Sequence, residues 1–283
     1  MVTSVLGSIL AGLSCSVVGI FVVRMNMASI GFCMSHAAFA GAALGVLIGV
    51  DPLFTALLFA SVTAAFLGPM TEHAKLNTDV VIGIMFSLMI ALAFVFINLS
   101  PEGAAQSTAL RILWGSIFSI SKYDVLYLAA LSIGIVAFLV LFYKEILSML
   151  FNRKLAEASG INTYAFFIAI ILLTGFAVSL SLKLVGGLLV YALIINPTST
   201  AYQFFWDFKK IALSSPLIGI ASCLTGFLFS LQTDFPVGAS IVIVSASLLA
   251  LAIVVSPKRK TKSSRKFEMG DDDGDIDTAQ RAH

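Results

Sequence analysis

The chain has 283 residues, of which 59% are hydrophobic and 11% charged, and its formal net charge is +2; its mean hydropathy is +1.02. A soluble domain carries about 25% charged residues, so this chain cannot cover a globule with polar surface, and lipid must solvate much of it. The small net charge gives no case for a nucleic-acid partner.

A span needs about 20 mostly apolar residues to cross roughly 30 Å of hydrocarbon. Taken in chain order, nine segments qualify: 4–23, 28–50, 52–70, 79–99, 124–146, 163–182, 184–206, 211–231 and 237–256. The opening Met1-Val2-Thr3-Ser4 has no basic residue, so the first segment reads as a retained span and not as a cleaved signal peptide. The stretch 163–206 has only Lys183 inside it and is too long for one crossing at about 1.5 Å per residue. Divided at Lys183 it supplies two of the nine spans, and undivided it leaves eight. The expected fold is therefore an all-α polytopic membrane helix bundle occupying residues 1–257.

Three connections stand out. Residues 100–123 contain an apolar run too short to span, which fits a surface-lying or re-entrant helix. Residues 147–162 predict a short amphipathic helix stopped by Gly160. Beyond Pro257, residues 258–283 turn basic and then acidic (Asp271-Asp272-Asp273-Gly274-Asp275), a charged tail too polar to build a core and expected to be disordered. Charge fixes an orientation: Arg24, Lys75, Lys144, Arg153, Lys154, Lys209, Lys210 and Lys258-Arg259-Lys260 share one side of the nine-span arrangement, against Arg111, Lys122 and Lys183 on the other. The basic side is the cytoplasm, which predicts the N-terminus outside and the C-terminal tail inside.

Few residues offer chemistry. The sequence has no G-x-x-x-x-G-K-[ST] and hence no ATP site of that kind, and no pattern supports an enzyme. Cys15, Cys33 and Cys223 lie in apolar segments without ligand or disulfide spacing, as buried, reduced residues do. His36 is the titratable side chain set clearly within a span. An ionisable group at that depth belongs on the bundle interior or a water-filled path, and imidazole binds first-row transition metals, although a histidine hydrogen-bonded for packing has the same pattern. Ser35 adjoins it, within a small-residue surface (Ala37, Ala38, Ala40, Gly41, Ala43) that lets helices approach closely. Met85 and Met89, four residues apart, read as gap-filling side chains. Asp79 begins the fourth span, as an N-cap or as part of a cation route. Asp51 and Asp234 lie at outer span ends, where a carboxylate attracts cations or simply ends a turn. Pro197 should kink the seventh span and free backbone carbonyls.

Several segments together resemble the zinc/manganese/iron permeases of ABC-type metal uptake systems. They are Ser35-His36-Ala37 with Gly41, Asp79 through Ser87, Leu113-Trp114-Gly115-Ser116, Leu155-Ala156-Glu157-Ala158-Ser159-Gly160, Val185-Gly186-Gly187-Leu188-Leu189 through Pro197, and Asp234-Phe235-Pro236-Val237-Gly238. They stand in family order with family spacing over residues 1 to about 256. The chain departs from the family at Phe32, where an acidic residue usually helps to hold or guide the metal, and in Ile194-Ile195-Asn196-Pro197-Thr198-Ser199-Thr200, which is more polar than the family's version.

The resemblance implies a permease subunit that transports a divalent transition-metal ion and has no permanently bound cofactor. Its implied partners are a separate ATP-binding subunit, an external metal-binding protein, a second copy of itself and membrane lipid. The ion pathway would draw on His36, Ser35, Asp79, Asp51 and Asp234. Coupling to the ATPase would fall to Asn152, Arg153, Leu155, Ala156, Glu157, Ser159 and Gly160. An ATP-independent transporter or channel is the alternative from another class, and a permease for chelated iron or cobalamin is the nearer one.

Overall fold

The computed structural model describes residues 2–73, 77–100, 115, 121–186 and 190–258. Eleven helices fill these segments: α1 (Val2–Arg24), α2 (Ser29–Ile48), α3 (Pro52–His73), α4 (Thr78–Leu99), α5 (Lys122–Leu141), α6 (Tyr143–Phe151), α7 (Arg153–Ala158), α8 (Thr163–Val185), α9 (Val190–Phe204), α10 (Phe208–Thr233) and α11 (Val237–Val255). Eight of them, all but α6, α7 and α9, are long and apolar enough to cross a membrane. No strand occurs among the described residues. A bilayer core accepts closed helical backbone and little else, so the all-α bundle follows from the hydropathy.

Burial orders the bundle. The apolar windows of α1 and α2 are 72% and 78% buried, whereas those of α4, α5 and α11 are 28%, 22% and 28%. The first two helices therefore form the inside, and the others turn side chains such as Phe94, Ile133 and Leu251 outward. Glycine makes the central crossings possible. A methyl group on Gly12 of α1 would stand 2.7 Å from the Gly219 carbonyl oxygen of α10, closer than any real contact. Hydroxyls bind the same seam: Thr198 and Ser215 lie 2.8 Å apart, both donate to the Ser16 carbonyl, and Ser14 meets Ser132 of α5 at 2.6 Å. Among lipid tails, apolar burial gives helices little reason to associate, so small-residue packing and such bonds carry the assembly.

The structure revises three expected boundaries. The fifth span stops at Leu141, five residues short of the expected end, because Phe142 leaves helical geometry at φ −104 and ψ 25. The single amphipathic helix of 147–162 is instead the end of α6 followed by α7, broken at Asn152, which is extended at φ −156 and ψ 110. Its stop is where expected, since Gly160 takes φ +84. The seventh span appears as α9, only 15 residues long and so about 22 Å at 1.5 Å per residue. The three cysteines are buried and free, as expected. The connection 101–114 and 116–120 and the tail from 259 lie outside the described residues.

Charges sort to the two ends. Arg24, Asp79 and Arg153 share one cavity, while Asp51 shares another with Tyr127 near the start of α5. Following the helices in turn, Lys144, Lys154, Lys209, Lys210 and Lys258 fall at the Arg24 end, and Lys122 and Lys183 at the Asp51 end.

Candidate ion pathway and coupling element

His36 is the eighth residue of α2 and is 4% exposed. Its Nδ1 lies 2.9 Å from the Phe32 carbonyl oxygen one turn earlier. A carbonyl only accepts, so Nδ1 donates and Nε2 is the nitrogen left to meet a ligand. The ring sits in an aromatic niche, 4.7 Å from Phe32 and edge-on to Phe86 of α4 at 4.7 Å. Tyr191 of α9 closes on Phe32 at 5.4 Å. Ser35, next to it, is 1% exposed. One imidazole nitrogen held in a fixed tautomer by backbone is the usual preparation of a metal-binding histidine. Among the described residues, no group of three or more His, Cys, Asp or Glu gathers to hold an ion.

The three carboxylates named with His36 do not join it. Asp79 is the second residue of α4, not its N-cap; Asn77 holds that position and makes no side-chain cap bond. Ser29 at the start of α2 donates to Asp79 Oδ1 at 2.7 Å. The carboxylate lines a cavity of about 540 Å³ with Arg24 and Arg153, two guanidiniums that disfavour a cation there. Asp51 lies just beyond the other end of α2, some 30 Å away for a helix of 20 residues, and accepts from the Leu53 amide at 2.8 Å as the cap of α3. The 690 Å³ cavity beside it is walled by apolar side chains such as Phe54, Leu131 and Phe176. Asp234 is the left-handed C-cap of α10, at φ 57. Two of the three thus serve as helix caps.

An ion pair went unread in the sequence: Lys183 Nζ lies 3.0 Å from Asp124 Oδ1. Asp124 also completes a capping box with Ser121 at the start of α5. The Ser-x-x-Asp spacing carried that signal. Nearby, Gly115 at φ +74 lies so close to Leu184, Val185 and Gly186 that an added methyl would meet backbone at 2.7 Å.

The residues expected to couple to an ATPase lie together around α7. Asn152 caps α7 by accepting from the Lys154 and Leu155 amides. Leu155 points out, 59% exposed, while Ala156 is fully buried. Arg153 Nε donates to Glu157 Oε1 at 3.1 Å and to Thr163 Oγ1 at 3.2 Å, and the Thr163 hydroxyl donates to Glu157 Oε1. The Thr163 and Arg153 hydrogen bonds hold the Glu157 carboxyl below its ordinary pKa. Ser159 donates to the Leu155 carbonyl at 2.9 Å.

A bundle of lipid-length helices, with charge sorted to its ends and one histidine at depth, is a multi-pass cell-membrane protein built for transport. The model of the ABC 3 transport family matches residues 1–256, and the chain belongs to that family. It is 30% identical over 252 residues to the manganese transport system membrane protein MntC of Halalkalibacterium halodurans, covering 89% of this chain and 86% of that one. It is 28% identical over 247 residues to the high-affinity zinc uptake system membrane protein ZnuB of Buchnera aphidicola, covering 87% and 94%. A solved structure described as PsaBC from Streptococcus pneumoniae in complex with Fab has the same fold, with a TM-score of 0.82, 24% identity and coverage of 93% and 94%.

Proposed function

We propose that this chain is the permease subunit of an ABC importer for divalent transition-metal ions, zinc, manganese or iron. The observation that carries the reading is family membership over residues 1–256, with relatives named for manganese and for zinc transport. The chain works as one of two copies, with the ion descending between them. A separate ATP-binding subunit docks on α7, and an external metal-binding protein delivers the ion at the Asp51 end. The basic end is cytoplasmic, which puts α7 where an ATPase can reach it. Lipid contacts the outward side chains of α4, α5 and α11.

His36 serves as a transient ligand. Its Nδ1–H stays on the Phe32 carbonyl while Nε2 faces the passing ion. A single neutral nitrogen suits passage, because an ion held by many ligands would not leave. Phe32 stands where an acid would have added a charge one turn away, so selectivity belongs to the delivering protein more than to this site.

The test is reconstitution with the cognate ATP-binding subunit and metal-binding protein, following Zn²⁺, Mn²⁺ and Fe²⁺ uptake into vesicles. Uptake of one of these ions that needs both ATP and the ATPase is expected. Equal uptake without the ATPase would identify a secondary transporter or channel instead.

A further inference from the structure

Resting on that reading, we infer that Arg153, Glu157 and Thr163 form a latch that binds the coupling helix α7 to α8, so that the stroke of the ATPase enters the bundle through α8, with Thr163 as the positioning residue.

Helix α7 has six residues and cannot hold its own orientation, since a helix that short is unstable alone. On its upstream side, Asn152 is extended backbone between α6 and α7 and caps α7 through its side chain. On its downstream side the connection is tight. The Ile161 amide returns to the Ala156 carbonyl at 3.1 Å and the Gly160 amide to that of Glu157 at 3.0 Å. Asn162 then caps α8 by accepting from the Ala165 amide at 3.0 Å.

Side chains reinforce the link to α8. Arg153 reaches Thr163 and lies 5.9 Å over the ring of Phe167, one turn further along α8. Glu157 receives the Thr163 hydroxyl. Arg153 and Glu157 are each about half exposed, and an exposed ion pair of that kind contributes little by itself. Thr163 differs, being 2% exposed. A buried hydroxyl donating to a carboxylate is a stronger, charge-assisted bond, and its loss leaves an acceptor partly unsatisfied. Thr163 thus decides whether α7 and α8 turn together.

The far side of α8 supplies the rest of the path. Gly175 faces Met34 of α2, with room for a methyl only 3.4 Å from its sulfur, and Met34 is two residues from His36. Ser179 donates to the Ala56 carbonyl of α3 at 3.5 Å, and Lys183 pairs with Asp124 at the other end. Close-packed interiors transmit displacement and do not absorb it, so a rotation of α8 is felt at the histidine's helix.

The test uses the reconstituted transporter with Thr163→Val and Thr163→Ser. The valine variant keeps the size and removes the donor, and the serine variant restores it. Thr163→Val should lower metal uptake at least tenfold while ATP hydrolysis stays within twofold of the parent, and Thr163→Ser should recover most of the uptake. Unchanged uptake in the valine variant overturns the latch, and so does a parallel fall of uptake and hydrolysis, which would mark a residue needed for assembly only. Spin labels at Leu155 and Tyr164 read the latch independently of any transport. Their distance distribution should broaden in Thr163→Val and not in Thr163→Ser, and a distribution that does not change overturns the latch. Absence of ATP-dependent uptake in the parent protein would count against the importer reading, while the label distances would still decide the latch.

Discussion

At the scale of the residue, His36 has two roles open to it, and its surroundings allow them to be separated. The bond to Phe32 serves packing, and the lone pair on Nε2 is what a ligand needs. His36→Ala removes both, so we pair it with His36→Phe, which keeps an aromatic ring among Phe32 and Phe86 and removes the nitrogens. Both variants should lower uptake at least tenfold while still purifying as an assembled complex with the ATPase. Normal uptake by His36→Phe would make the histidine a packing residue. The residue's depth was legible because a lone titratable group inside a span is easy to see. Its surroundings were not, since Phe86 against the ring and Tyr191 against Phe32 come from helices whose rotation depends on packing between distant segments. The carboxylates were misleading for a related reason: an Asp at a span end looks the same in sequence whether it attracts ions or caps a helix.

At the scale of the element, hydropathy located the helices well and their joints poorly. Five residues of Phe142–Ile146 read as span, although the chain had already turned into α6, because no glycine or proline marks the end of the apolar run at Leu141. Gly160 was readable, since a positive φ favours glycine; Asn152 is an N-cap residue type, a signal that the reading of 147–162 as one helix passed over. The packing between elements makes its own prediction. At Gly219 any side chain collides with α1, so Gly219→Val should destabilise the protein by about 1–3 kcal/mol, the usual range for overpacking. A lower Tm in detergent would register it. A methyl added at Gly83 of α4 would meet nothing within 4 Å, and Gly83→Ala should leave the Tm unchanged or raised, since alanine is the better helix former.

At the scale of the whole molecule, the sorting of basic residues to the Arg24 end predicts the orientation. With Cys15, Cys33 and Cys223 replaced, single cysteines at Lys154 and at Asp51 should divide cleanly. A membrane-impermeant thiol reagent is expected to label position 51 in intact cells and position 154 only after permeabilisation. Labelling of 154 in intact cells would invert the topology. Family, class and overall architecture were legible at this scale because they rest on patterns spread along the entire chain, which no single misjudged boundary can erase.

The distribution of acids has an electrical consequence. Each carboxylate among the described residues lies outside the spans or within a turn of a helix end. A divalent ion moving past His36 would therefore cross with no carboxylate of the described residues at depth to offset its charge. Each turnover would carry two positive charges inward. At about 2.3 kcal/mol per charge for each 100 mV, an inside-negative potential of that size would add ~4.6 kcal/mol to import, so the membrane itself would help to drive accumulation alongside ATP.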